Sequence, residues 1–424
     1  MNHLSVRDYI TEYTKKQLPT IVPRELEVTR TKRRIITIIG PRRAGKTYYF
    51  YQLINENRSK SLYLNFEDTR LIELKFNEIR EVIRMYIEIT GTEPEFLFFD
   101  EIQNIKNWEF GVRELLDLNK YSIFITGSSS KLLSKEIATS LRGRTITYTL
   151  LPFSFSEYLN SKNIKIDILK ITKDEEAKIK NLLIEYLEFG GFPEVVLENE
   201  KLKILKEYYD LILFKDIVER HNIKNISLAR FLLSYFAQNF TREISIRKII
   251  QFFQSQGKTF GKNTLYDYID KIQDSIAIFM VSKFSKKIYE RESWPKKIYI
   301  CDNGISKIVR FDQNIGSLIE NLVFLELLRM KNKNPILEIF YYKGKDFEID
   351  FVLKEGAEIK QLIQVCYNIE DLETKQREVK ALIKASNILS TNELFIINFD
   401  YDGEEVINNK IIKFKILWKW LFLK

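Results

Sequence analysis

Apolar positions along this 424-residue chain fall into two rhythms. Short continuous apolar runs at Arg33–Ile39, Ser61–Phe66, Glu95–Phe99, Tyr121–Thr126 and Thr145–Leu150 have the length of strands buried on both faces. Between most of them apolar residues recur every three or four positions, as over Glu78–Ile89 and Trp108–Leu118, which predicts amphipathic helices. Strands alternating with helices predict an α/β fold whose parallel sheet is covered on both sides. Upstream, one amphipathic helix ends before Pro19 and an extended connector runs through Pro23. From Glu157 to about Asn222 the rhythm is helical, broken at Gly190-Gly191-Phe192-Pro193. Three helices and then strands follow over 225–290, and 291–424 returns to a mixed α/β pattern.

Composition narrows the chemistry. At roughly 150 residues per domain the length suits two to four domains. The chain has two histidines (His3, His221) and two cysteines (Cys301, Cys366). A Cys/His zinc cluster needs four ligands at short paired spacings, which these four residues lack; a disulfide framework is also excluded, which fits a reducing, cytoplasmic setting. Any chemistry must rest on carboxylates, lysines, arginines and backbone amides. The 67 basic against 58 acidic residues leave +9, which implies a polyanion partner only if the excess is clustered. A generally basic surface explains it equally well. No membrane partner is expected, because no run reaches the roughly 18 apolar residues of a spanning helix. Met1–Ile21 lacks the apolar core and small-residue cleavage site of a signal peptide. Ile416–Phe422, interrupted by Lys419, reads as a packed final strand or helix.

The residues Gly40-Pro41-Arg42-Arg43-Ala44-Gly45-Lys46-Thr47 fit G-x-x-x-x-G-K-[ST] between a strand and a helix. Such a loop wraps phosphates with backbone N–H groups, so its glycines supply torsions and close approach that side chains would block. With Tyr48 these residues form the expected ATP-contacting set. Lys46 is expected to reach the β- and γ-phosphates, and Thr47 to ligate Mg²⁺. The apolar run Phe96–Phe99 delivers Asp100 and Glu101 at its carboxyl end. Asp100 is the second expected Mg²⁺ holder and Glu101 the group that polarises the attacking water. Thr126 and Ser128, at the tip of the next strand, can orient water or sense the γ-phosphate, although an ordinary turn explains them too. Arg144, in preference to Arg142, can serve a neighbouring subunit as an arginine finger, or simply make a surface salt bridge.

Taken together, Arg42-Arg43 in the loop, Asp100-Glu101-Ile102-Gln103, Thr126–Ser129, Leu141–Arg144, Leu151–Glu157 and Gly190–Glu194 resemble a prokaryotic AAA-type P-loop ATPase family. In that family the ATPase domain is fused to a C-terminal domain of unknown function. The resemblance covers most of the chain. It implies a core over 1–158 and a helical lid over 159–222.

Residues 223–290 read as a winged helix. Its third helix, Asn263–Asp274, buries Leu265, Tyr268, Ile269 and Ile272. Lys262, Asn263, Thr264 and Tyr266 are left outside, where they suit duplex DNA, with Lys283, Lys286 and Lys287 on the wing. A spacer or protein-contact role fits the same pattern. Over 291–424, Glu320 on a helix faced by Leu322, Val323, Leu325 and Leu328 precedes a strand carrying Glu348 and Asp350, then Gln364 and Cys366. That order resembles a PD-(D/E)XK nuclease in which glutamine and cysteine stand where glutamate and lysine belong. Glu348, with Lys343 or Lys345, would have to compensate, so the domain is expected to be inactive.

The expectation is thus a Mg²⁺-dependent ATP hydrolase whose nucleotide state rearranges its domains, acting on DNA. A protein-directed switch and an ATP-regulated nuclease are the alternatives.

Overall fold

The computed structural model describes residues 3–127, 141, 143–168, 170–258, 260–293, 295–311 and 314–422. Two compact units emerge, 1–151 with 274–276, and 152–273 with 277–424.

The first unit begins with α1 (His3–Lys15) and an extended connector. Five parallel strands follow: β1 (Ile35–Ile39), β2 (Ser61–Asn65), β3 (Phe96–Asp100), β4 (Ser122–Gly127) and β5 (Thr145–Thr149). They lie in the order β2-β3-β4-β1-β5. Alternate side chains leave opposite faces of each strand. Ile35, Leu62, Leu64, Leu97, Phe99, Ile123 and Ile125 enter one core, while Ile36, Ile38, Tyr63, Phe98 and Phe124 enter the other. Two buried faces explain why β1 to β4 read as largely apolar runs, whereas β5, at the sheet edge, is only partly buried. Each fully buried Leu, Ile or Phe contributes roughly 1.5–3 kcal/mol. The helices α2 (Lys46–Asn55), α3 (Ile79–Thr90) and α4 (Trp108–Asp117) complete the unit. In α3, Ile79, Val82, Ile83 and Tyr86 form the buried stripe, and Gly91 ends the helix at φ 70°. This order sets the carboxyl ends of β3, β4 and β1 side by side.

The second unit opens with helices α5 (Phe155–Ser161), α6 (Lys173–Phe189), α7 (Pro193–Leu197) and α8 (Lys201–Leu211). A π-helical stretch, Ile212–Glu219, continues the last of them. The break at Gly190-Gly191 has a packing cause. A Cβ at Gly190 would meet Asp302 Oδ1 at 1.7 Å, and Gly191 N donates to Asp302 Oδ2 at 2.6 Å. Next come α9 (Ile226–Gln238), β6 (Glu243–Ile244), α10 (Ile246–Ser255), α11 (Lys262–Asp274), β7 (Ile278–Val281), α12 (Ile288–Ser293) and β8 (Lys296–Ile300). Their three strands form an antiparallel sheet in the order β6-β8-β7. Leu265, Tyr268, Ile269 and Ile272 of α11 are buried, whereas Lys262, Asn263, Thr264 and Tyr266 are exposed.

After α13 (Asn303–Lys307) and α14 (Ile315–Lys333) come β9 (Leu337–Lys343), β10 (Glu348–Glu355), β11 (Glu358–Val365), α15 (Leu372–Leu389), β12 (Leu394–Asn398), β13 (Gly403–Ile407), β14 (Lys410–Ile416) and α16 (Leu417–Trp420). The six strands order as β13-β14-β12-β11-β10-β9, with β12 parallel to β11 and β14. Burial of α14 is wider than the single apolar face expected from its sequence: Asn321 and Glu326 are fully buried with its leucines. Asn321 meets that cost by exchanging hydrogen bonds with the Ile300 backbone at 2.9 and 3.1 Å. Cys301 and Cys366 are free thiols. Among the described residues, no helix is long and apolar enough to cross a membrane.

Candidate nucleotide-binding site

β1 runs into Gly40, and Gly40–Thr47 turns the chain into α2. Glycine is required at both ends of the turn. A Cβ at Gly40 would stand 2.1 Å from the Leu150 carbonyl oxygen, and Gly45 caps α2 at φ 93°. Arg43 also takes a left-handed φ of 67°. The positive end of the α2 dipole therefore faces the loop. Lys46 is 5% exposed, and its Nζ donates to Gly40 O at 3.1 Å and Pro41 O at 3.2 Å. Glu101 Oε1 lies 3.9 Å from the same ammonium. Beneath the loop, Arg24 of the connector is buried and donates to Ala44 O at 2.8 Å and Leu151 O at 2.5 Å.

Asp100 ends β3 with 1% exposure, and three hydroxyls converge on it. Thr47 Oγ1 donates to Oδ2 at 2.6 Å, Tyr63 OH donates to Oδ2 at 2.9 Å, and Thr126 Oγ1 donates to Oδ1. Thr126 Oγ1 in turn accepts the Glu101 backbone N–H at 2.9 Å, so one threonine fixes both acids. Burial, then the neighbouring Glu101 charge, pushes the Asp100 carboxyl above its ordinary range, while the three hydroxyls oppose the shift. Burial and Asp100 keep the Tyr63 hydroxyl protonated far beyond its usual value. Glu101 sits at a left-handed φ of 51° and accepts from Gln103 Nε2. Glu67 is raised by burial and by Glu101, with Arg42 3.6 Å away opposing.

A family described as AAA domain matches residues 32–159, and one described as a domain of unknown function (DUF8612) matches 180–313. "Uncharacterized protein MJ1544" of Methanocaldococcus jannaschii is 40% identical over 413 residues, covering 94% of this chain and 91% of the relative. The chain belongs to the AAA-type P-loop ATPase family. An "Uncharacterized protein" of Haemophilus influenzae is 29% identical over 388 residues, with 88% of this chain and 92% of that one covered. Among solved structures, AMPPCP-bound DnaA from Aquifex aeolicus overlaps 63% of this chain and 86% of its own, at 13% identity and a TM-score of 0.25. So distant a likeness carries no argument.

The donor set of this AAA-type site suits Mg²⁺. Thr47 and Asp100 present hard oxygens in mutual contact beside the loop, which is the chemistry Mg²⁺ selects. Arg144 is half exposed and ion-paired with Asp117. Tyr48 is 51% exposed and packs edge-on against Tyr51 at 5.8 Å. Ser128 and Arg142 lie outside the described residues. Tyr63 escaped sequence reasoning, because only the β2-β3 pairing brings it to Asp100.

The second unit holds another polar centre. Lys297 of β8, 3% exposed, places Nζ 3.1 Å from Glu320, 3.1 Å from Asp350 and 2.6 Å from Glu348. Tyr299 OH donates to Glu320 Oε1 at 2.8 Å. Gln364 Oε1 accepts Asp350 N–H at 2.8 Å, and its Nε2 donates to Glu348 O at 2.9 Å and to Glu378. Burial alone would favour a neutral amine, but Glu320, Asp350 and Glu348 outweigh it and hold Lys297 well above its ordinary value. Burial pushes Glu320 upward against that ammonium. Of the two expected lysines, Lys343 also reaches the edge of this centre. Lys343 pairs with Glu243 at 2.7 Å and stands 3.8 Å from Glu348, and Lys345 is exposed. Cys366 is buried, its thiol pushed up to about 12 by that burial.

Proposed function

We propose that this protein is a Mg²⁺-dependent ATP hydrolase whose nucleotide state rearranges its domains. The observation carrying the reading is the hydroxyl network in which Thr47, Tyr63 and Thr126 all donate to buried Asp100, beside buried Lys46. Preorganised donors and a metal-ready carboxylate are what phosphoryl transfer requires, since its catalysis is largely positioning and charge stabilisation. Lys46 would exchange its loop carbonyls for β- and γ-phosphate oxygens, and Thr47 and Asp100 would hold Mg²⁺. Glu101, oriented through Thr126, would polarise the attacking water. Arg144, released from Asp117, would act on the nucleotide of a neighbouring copy. Steady-state phosphate release with and without Mg²⁺ tests this. Wild-type turnover by Lys46→Ala would sink it.

The output proposed is duplex DNA, with residues 226–300 acting as a winged helix. Two observations support it. The helix, strand, helix, helix, strand, helix, strand order with a β6-β8-β7 sheet leaves the start of α11 exposed. Leaving out Lys297, which is buried among carboxylates, the same stretch carries twelve lysines and arginines against six carboxylates. A basic excess concentrated in one stretch of sequence is what a polyanion partner favours. Duplex binding should weaken steeply with salt and weaken further in Lys258→Ala and Lys262→Ala. Absence of binding at low salt would favour the protein-directed switch.

A further inference from the structure

The PD-(D/E)XK resemblance of the C-terminal sequence calls for a divalent cation among Glu320, Asp350 and a neighbouring carboxylate. The residues do not fit one. An ammonium already lies within ion-pair distance of all three carboxylates of the centre. Asp350 has both oxygens engaged, Oδ1 by Lys297 and Oδ2 by the Val365 N–H at 3.0 Å. Glu320 Oε1 accepts from Lys297 and from Tyr299. Gln364, at the position of the missing glutamate, spends its amide on the Asp350 and Glu348 backbone and on Glu378.

Access is not the obstacle. Glu320, Glu348, Asp350 and Gln364 line a cleft of about 1350 Å³, while Lys297 approaches from the protein side and is buried. Its backbone is equally committed, since Lys297 pairs with Glu243 of β6 and Val281 of β7 in the small sheet. The carboxylates come from α14 and β10. The small sheet is joined to the large one nearby: Phe284 N–H donates to Tyr341 O at 2.7 Å and Tyr341 OH to Pro295 O at 2.6 Å. Pairing on both sides fixes the backbone from which the Lys297 side chain reaches the carboxylates.

We infer that Lys297 is the permanent counter-cation of the Glu320/Glu348/Asp350 centre, which therefore works as a metal-free joint between the two sheets. Removing the ammonium should uncover a divalent-cation site. The inference stands apart from the ATPase reading, since it concerns different residues and survives whether or not ATP is turned over.

Mn²⁺ binding to nucleotide-free, full-length protein, followed by the electron paramagnetic resonance of free Mn²⁺, tests it. Wild type, Glu348→Gln and Asp350→Asn should bind Mn²⁺ alike, because the centre contributes no site. Lys297→Met should gain one site, at least about tenfold tighter than any it shares with wild type and lost again in Lys297→Met/Asp350→Asn. If Glu348→Gln or Asp350→Asn removed a site from the wild-type background, Lys297 would be a movable group beside a working metal centre and the inference would fail. A folded Lys297→Met without the extra site would overturn it equally. Should Lys297→Met not fold, the comparison of wild type with Glu348→Gln still decides.

Discussion

Thr126 offers a sharp test of how the nucleotide site is organised. Its hydroxyl donates to Asp100 Oδ1 and accepts the Glu101 N–H at 2.9 Å, at the end of a fully buried strand. Thr126→Val keeps the shape of the side chain and removes both bonds. A hydrogen bond to a charged group is worth about 1.5–3 kcal/mol, and an orphaned buried N–H costs a further 1–3. Relaxation recovers part of that, so a stability loss of about 2–3 kcal/mol is expected. In the reaction the larger effect is loss of orientation. If a similar energy is missing from the transition state, kcat falls roughly 30- to 160-fold, at about 1.36 kcal/mol per decade. The loop contacts are untouched, so KM for ATP should stay nearly constant. Thr126→Ser, which keeps the hydroxyl, should recover most of kcat. Steady-state ATPase kinetics and urea midpoints on the three proteins provide both readouts. Unchanged kcat in a folded Thr126→Val protein would refute the role given to this hydroxyl.

Lys46→Ala should abolish ATP turnover in a phosphate-release assay while the protein keeps its fold by circular dichroism. Chelation by excess EDTA should likewise stop turnover, and added Mg²⁺ should restore it, since Thr47 and Asp100 supply oxygens but no cation of their own. Gly40→Ala forces a Cβ to within 2.1 Å of a backbone oxygen of the core, so nucleotide binding by calorimetry and the melting temperature should both fall. Asp302 is raised by burial to about 7 despite its Gly191 and Gly304 N–H donors. The folded form thus holds a proton that the unfolded chain releases near pH 3.9, and stability should decline by up to roughly 4 kcal/mol as pH rises through 7. Urea midpoints between pH 4.5 and 8.5 should show this slope, flattened in Asp302→Asn.

The sheet of the first unit was legible because burial on both faces writes itself as continuous apolar runs, and Gly40–Thr47 announces its conformation through required glycines. Asp100 and Glu101 were legible for a related reason: an acidic pair at the end of Phe96–Phe99 must emerge at the sheet's carboxyl edge. Tyr63 and Lys297 were hidden. Each lies on a strand whose neighbour is set by tertiary pairing, and neither neighbour can be read from local spacing. The lysine that meets Asp350 is Lys297, 53 residues before it in the chain. The π-helical stretch Ile212–Glu219 was hidden too, because its apolar spacing is indistinguishable from that of an α-helix over so short a span.

The two carboxylate centres show why an acidic cluster alone does not define chemistry. Asp100 is met by three neutral hydroxyls, which orient it without cancelling its charge. The nearest lysine, Lys46, is turned to loop carbonyls, with Glu101 at 3.9 Å. Desolvation of an uncompensated carboxylate is costly, as its raised proton affinity shows, and an arriving Mg²⁺ with its nucleotide would relieve that cost. At Asp350 the same cost is already met internally by Lys297, and the Val365 N–H engages the remaining oxygen. A divalent ion entering there would have to displace this ammonium from all three carboxylates. The identity of the donors around each carboxylate, hydroxyl in one case and ammonium in the other, therefore separates a carboxylate whose charge is left uncompensated from one already neutralised by its own chain.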